Sequence, residues 1–329
     1  MRPVAMRALR LSLLLLVGVA AGVCPYAYGA EYPTRPIRML VGFAPGGGTD
    51  IVARLIGPKL GTVLGQQVII DNRAGAGGNI ATEIVARSAP DGYTLLMGTI
   101  ASLAINPSLQ PNLPFDPVKD FAPITQTASV NNIIVAHPSL PVSTLKEFVD
   151  YAKARPGQVA YASSGVGSTG HLAGALFNRM AGIELAHVPY KGGGPAITDL
   201  LGGNIKVFFA VVSTAIPHVK AGKIKALAVT TGRRAAALPD VPTVAELGYK
   251  GYEANNWYGL VAPARTPRPI INRLNKEMVL ILAQPEVRDV LIAQGLDPHT
   301  TTPDAFGAYI KSELAKWAKV VADTGARPN

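Results

Sequence analysis

Ile37-Arg38-Met39-Leu40-Val41-Gly42-Phe43-Ala44-Pro45-Gly46-Gly47-Gly48-Thr49-Asp50 decides how the rest of the chain is read. An apolar run of strand length gives way to a glycine-rich loop, then to a helix that begins near Asp50. Three consecutive glycines let the backbone approach a ligand without Cβ clashes, and Thr49 adds a hydroxyl at the helix entrance. The first N–H groups of a helix lack internal partners and the dipole there is positive, so the loop is a candidate anion socket. The same glycines suit a plain tight turn, and the residues alone leave both readings open. No Lys-Ser/Thr pair follows the glycines, which excludes a phosphate P-loop. Asp50, in the first helical turn, complements the dipole and reads as a structural charge rather than a catalytic base.

Val159 to His171 repeats this grammar through the loop Ser163-Ser164-Gly165-Val166-Gly167-Ser168-Thr169-Gly170-His171. Gly165, Gly167 and Gly170 formally satisfy G-x-G-x-x-G, and Glu184 follows at roughly the spacing of a ribose-binding acid. Glu184, however, precedes a strand candidate instead of ending one. The hydroxyls of Ser163, Ser164, Ser168 and Thr169 suit a small carboxylate better than a dinucleotide. Two further glycine-rich segments, Arg73 to Asn79 and Pro189 to Pro195, are weaker socket candidates, since each also serves a sharp strand-to-helix turn.

Outward from these loops, short apolar runs alternate with helix-like stretches, the pattern of α/β proteins built from βαβ units. Strands are expected at Ile37 to Phe43, Val68 to Asp71, Thr94 to Gly98, Ile133 to His137, Val159 to Ala162, Ala186 to Pro189, Lys206 to Val211, Ile224 to Thr230 and Trp257 to Ala262. Helices are expected to begin near Asp50, Asn79, Thr144, Thr169, Pro195, Ser213, Pro267, Pro285 and Pro303, with a short extended piece around Leu296 to Thr300. Thr144 and Glu147 form a capping box, and Pro195 suits a first helical turn.

The 329 residues are 48% hydrophobic and 16% charged, which supports a packed core and excludes a disordered chain. Arg2, Arg7 and Arg10 precede the apolar run Leu11 to Val23, followed by small residues: the layout of a secretory signal, too short to span a bilayer comfortably. Cleavage after Gly29 places small residues at both recognition positions. Loss of the three arginines lowers the formal charge from +10 to +7, and loss of Cys24 leaves the mature chain without a thiol. His137, His171, His187, His218 and His299 include no pair at metal-ligand spacing. There is no G-x-S-x-G elbow for a serine nucleophile. The basic residues are scattered and not interleaved with aromatics, which argues against a nucleic-acid partner. Trp257-Tyr258 suits a cleft wall or ordinary core alike.

Tyr32-Pro33 to Pro36-Ile37, the loop Gly42 to Asp50, Asn72 to Gly78, Ala89-Pro90-Asp91-Gly92-Tyr93-Thr94, Ile105-Asn106-Pro107, Pro189-Tyr190-Lys191-Gly192 and Asn256-Trp257-Tyr258-Gly259 together resemble the Bug or TctC-type periplasmic solute receptors of tripartite tricarboxylate transporters. The resemblance spans essentially the whole mature chain. It implies a two-lobed, type II-like periplasmic binding protein fold with two chain crossovers and a ligand cleft between lobes. One lobe would comprise residues 30–130 plus 256–329, the other 131–255. The implied activity is non-catalytic and periplasmic: a monomer without cofactor or metal binds a small organic carboxylate and passes it to membrane permease subunits. A sensor feeding a membrane kinase and an NAD-linked oxidoreductase are the alternatives.

Carried onto this sequence, the resemblance assigns ligand contacts to Phe43, Ala44, Pro45, Gly47, Gly48, Thr49 and Asp50 on one side of the cleft. Opposite them it assigns Ser163, Ser164, Gly165, Val166, Gly167, Ser168, Thr169, His171 and Tyr190. The two loops are expected to face each other. The run Thr99 to Ala104 departs from the family pattern, with Ile100, Ala101 and Leu103 where more polar residues are usual. These residues are expected to make the cleft wall less polar and to favour a mono- or dicarboxylate over a hydroxylated tricarboxylate.

Overall fold

The computed structural model describes residues 32–110 and 112–324, so the expected signal segment, its cleavage point and Cys24 lie outside the described residues. Every strand and helix described falls in one compact unit, Arg35–Asn329. The chain first builds β1 (Ile37–Val41), α1 (Gly48–Leu64), β2 (Val68–Asn72), α2 (Asn79–Ala86), β3 (Thr94–Thr99), a π-type turn at Ala101–Ile105, α3 (Asn106–Leu109) and β4 (Phe121–Val130). It continues through β5 (Asn132–Ala136), α4 (Leu145–Lys153), β6 (Val159–Ser163), α5 (Thr169–Ala181), β7 (Leu185–Pro189), α6 (Gly193–Leu201), β8 (Val207–Val211), α7 (Val212–Lys220) and β9 (Lys225–Val229). It ends with β10 (Asn256–Pro263), α8 (Arg268–Ala283), α9 (Pro285–Ala293), β11 (Leu296–Pro298) and α10 (Pro303–Thr324).

Two sheets result, ordered β11-β4-β10-β3-β1-β2 and β7-β6-β8-β5-β9. β1 runs parallel to β2 and β3, and β6 parallel to β7 and β8, with a helix between each strand and the next in sequence. Strands covered on both faces read as unbroken apolar runs. Residues 207–211 show that pattern, residues 37–41 break it only at Arg38, and all eight residues of β10 are buried. The chain leaves the first sheet after β4, passes through Asn131 into β5, and returns from the second sheet into β10. Val130 and Asn256 are partners in the antiparallel β4–β10 ladder, so the outgoing and returning strands lie side by side. The Asn131 carbonyl accepts the Val212 N–H at 2.8 Å, tying the start of α7 to the crossing. This is the two-lobed, type II-like arrangement with its paired crossings.

Each expected strand is present to within two residues, and the capping box at Thr144 forms with both of its bonds. β4 is the strand the sequence pattern misses, because Phe121–Val130 contains Pro123 and the polar run Thr125-Gln126-Thr127. Pro123 sits where β11, which pairs only with Ala128 to Val130, does not reach, and beside a register shift against β10. No ladder N–H is required on that side. The Thr125 hydroxyl donates to the Thr301 carbonyl and accepts the Thr301 N–H, so this polar side chain is paired inside the sheet.

Alternation along β10 divides Trp257 from Tyr258. Trp257 enters the core of the first lobe, edge-on to Phe306 at 5.5 Å, and its Nε1–H donates to Glu313. Gly259 permits this packing: a Cβ there would lie 2.2 Å from the Phe306 ring. Gly259→Ala is therefore expected to destabilise the protein by about 1 to 3 kcal/mol through overpacking, read as a lower urea midpoint. An unchanged midpoint would show that the Phe306 ring moves aside freely.

Candidate functional site

Strand ends in the two lobes deliver four helix entrances to one cavity. Gly47, Gly48 and Thr49 open α1 from the first lobe; Ser168, Thr169 and Gly170 open α5, Gly193 opens α6, and Val211 and Thr214 flank the start of α7 from the second. Phe43, Thr99, Ala101, Ser164, Phe209, Asn256 and Tyr258 complete the wall. Among the described residues, no Lys, Arg, Asp, Glu or His lines it. Burial pushes the Tyr258 hydroxyl far above its ordinary range despite bonds from Thr49 and Asn256, so it stays neutral. The wall thus carries no formal charge, and its electrostatic bias comes from free N–H groups and the positive ends of helices, each equivalent to about half a charge.

Glycine is required where the lobes meet. A Cβ on Gly48 would lie 2.7 Å from both the Ser213 hydroxyl and the Tyr258 hydroxyl, and one on Gly194 would lie 2.5 Å from the Pro45 carbonyl. The Ala44 N–H donates to the Lys191 carbonyl at 3.1 Å, a backbone bond between lobes.

Asp50 works behind the first loop. Its carboxylate accepts from the Gly46 N–H at 3.0 Å, from Arg54 Nε and from Asn72 Nδ2 at 2.9 Å, while Asn72 also donates to the Phe43 carbonyl. Burial raises its pKa, and the bonds from Arg54, Gly46 and Asn72 outweigh that and hold it below its ordinary value. Asp50 fixes the loop's shape and does not line the cavity.

A histidine pair supports the second loop. His171 Nδ1 accepts the Gly167 N–H at 3.2 Å, His187 Nε2 lies 2.6 Å from the Ser163 hydroxyl, and that hydroxyl accepts the Gly165 N–H. The two imidazoles stack 4.1 Å apart. Burial pushes His171 down to about 4; burial, then the neighbouring His171, pushes His187 down to about 3.

Among the expected contacts, Phe43, Gly47, Gly48, Thr49, Ser164, Ser168 and Thr169 line the cavity, and the two loops meet there from different lobes. Ser168 Oγ also caps α5 by accepting the His171 N–H. Ala44 and Pro45 make the contact between lobes, while Ser163, Gly167 and His171 brace the second loop from within. Gly165, Val166 and Tyr190 line an adjoining hollow with Gly75 to Gly77, and the Tyr190 hydroxyl donates to Asp199. Of the three apolar residues expected on the cleft wall, Ala101 lines the cavity, while the expectation for Ile100 and Leu103 is corrected: both are fully buried in the first lobe's core, and Thr99 faces the cavity. Thr99, Asn256 and the start of α7 escape the sequence reading, since Val211-Val212-Ser213-Thr214 has no glycine to mark a socket. Gly193 lies within the segment already singled out for its glycines.

Two lobes joined by paired strands, with helix entrances from both turned into the space between, define a periplasmic solute-binding receptor. Residues 52–326 match the family model described as the tripartite tricarboxylate transporter family receptor, TctC, and the chain belongs to that family. It is a receptor and not an enzyme. BugT of Bordetella pertussis is 40% identical over 319 residues, covering 96% of this chain and 98% of that protein. The structure of Rpa4515 of R. palustris with adipate superposes with a TM-score of 0.88 at 37% identity, covering 91% of this chain and all of that one. MatC (Rpa3494) of Rhodopseudomonas palustris with bound malate gives 0.84 at 34% identity, covering 88% of this chain and all of that one.

The histidine pair generates a pH test. Folded-state values below the ordinary 6.5 mean that the unfolded chain takes up protons first, so stability falls as pH drops from about 6.5 towards 4 and levels off below the folded values. In His187→Phe, the fall in urea midpoint over that window is expected to be shallower than in the wild type. Parallel curves would show that His187 is not held neutral by the fold.

Proposed function

We propose that the protein is exported through a cleaved N-terminal signal and acts as a monomeric receptor for a small organic mono- or dicarboxylate. Its two lobes, residues 30–130 plus 256–329 and residues 131–255, close on the ligand and present it to the membrane permease subunits of a tripartite tricarboxylate transporter. The membership of strands in the two sheets supports this division. The observation that carries the reading is the convergence of four helix entrances on a cavity whose walls bear no charged side chain. A cavity of that kind stabilises an anion by hydrogen bonds to backbone N–H groups and hydroxyls, without an arginine clamp. Each charge-assisted bond contributes roughly 1.5 to 3 kcal/mol, and a micromolar site needs about 8 kcal/mol net. Four or five donors suffice after ordering costs. Gly47, Gly48, Thr49, Ser164, Ser168, Thr169 and Gly193 supply them. Rpa4515 and MatC, whose structures hold adipate and malate, support a carboxylate as the ligand class.

Thermal shift across small carboxylates, their amides and neutral sugars tests this reading. A carboxylate at about 100 times its dissociation constant is expected to add roughly 2.7 kcal/mol of apparent stability and to reduce the scattering radius as the lobes close. Equal stabilisation by sugars or amides, or binding without compaction, would overturn it.

A further inference from the structure

Three side-chain atoms on the cavity wall have no partner in the protein among the described residues: Thr99 Oγ1, Asn256 Oδ1 and Thr214 Oγ1. All three residues are more than nine-tenths buried. Such atoms are costly to leave unpaired. Thr99 and Asn256 belong to one patch: Thr99 is the ladder partner of Tyr258, and Asn256 is two residues along the same strand, hence on the same face. The Asn256 side chain also bonds the Tyr258 hydroxyl, and because Oδ1 is unpartnered that bond comes from Nδ2. The carbonyl end of the amide is thereby left as an acceptor. Thr214 adds a hydroxyl from the opposite lobe, next to Gly193.

We infer that the ligand carries a hydroxyl besides its carboxylate, and that Thr99 and Asn256 on the first lobe, with Thr214 on the second, read it. This rests on the carboxylate reading above and sharpens it. Asn256 Oδ1 only accepts, so the matching ligand group must donate, which an ionised carboxylate cannot do. An ammonium group donates but brings a positive charge to four positive helix ends, with no acidic side chain on the wall to balance it. A hydroxyl meets every requirement: it donates to Asn256 Oδ1 and accepts from a threonine hydroxyl. Because Ile100 and Leu103 lie in the core, this run offers the cavity the Thr99 hydroxyl and only the small Ala101 side chain.

Calorimetric titration with acids that differ only at this group provides the test: propionate against lactate, and succinate against malate and aspartate. The hydroxy acid of the pair that binds is expected to be tighter than its parent by about tenfold or more, and malate tighter than aspartate. Thr99→Val, close in shape, is expected to bring the affinity ratio of hydroxy acid to parent acid close to one, and Thr99→Ser to restore the preference. Equal binding of parent and hydroxy acid by the wild type, aspartate binding as tightly as malate, or loss of both parent and hydroxy acid in Thr99→Val would overturn the inference and leave the carboxylate reading standing. No binding of any of these acids would overturn both.

Discussion

A helix cannot pair its own first N–H groups, and in this fold four helices begin at one place with those groups turned towards a common space. Parallel strands make the convergence possible. β1, β3, β6 and β8 all end at the same cavity, at Val41, Thr99, Ser163 and Val211, and the loops that follow carry its wall. Ligand sites beyond the carboxyl ends of parallel strands are the general rule for α/β sheets. The distinctive point is that two separate sheets obey the rule towards each other.

That constraint accounts for the glycines and for the buried polar braces. Helix entrances from two lobes meet only if no Cβ intervenes, and Gly48, Gly77, Gly167, Gly192 and Gly194 are among the positions where one would strike the opposite lobe. A loop rich in glycine gains no shape from its own side chains. Its shape comes from neighbours: Asp50 and Asn72 hold the first loop, and the neutral pair His171 and His187, with Ser163, holds the second. The carboxylate of Asp50 and the two imidazoles therefore stand behind the cavity wall, where Tyr258 stays neutral. β4 and β10 run side by side at the crossing, so a shared pair of strands joins the lobes.

The alternation of apolar runs with glycine-marked loops made the fold class, each expected strand and both principal loops legible, because backbone chemistry and local propensity agree there. β4 escapes that reading because its polar residues are paired only by the distant segment around Thr301. The cavity's remaining wall escapes for a similar reason. Thr99 and Asn256 become neighbours through β3–β10 pairing across more than 150 residues, and Ile100 turns away from the cavity because the chain enters a π-type turn directly after β3. Thr214 gains its place from the tie between Val212 and Asn131 at the crossing. No local motif encodes any of these relationships.

The most direct measurement is an amide nitrogen–proton correlation spectrum recorded during titration with a carboxylate that binds. If backbone donors from both lobes hold the anion, the resonances of Gly47, Gly48, Thr169, Gly170 and Gly193 shift together, downfield in the proton dimension, with a single dissociation constant. Shifts confined to one lobe, or amides that stay still while an arginine or lysine side chain responds, would contradict recognition by converging helix starts.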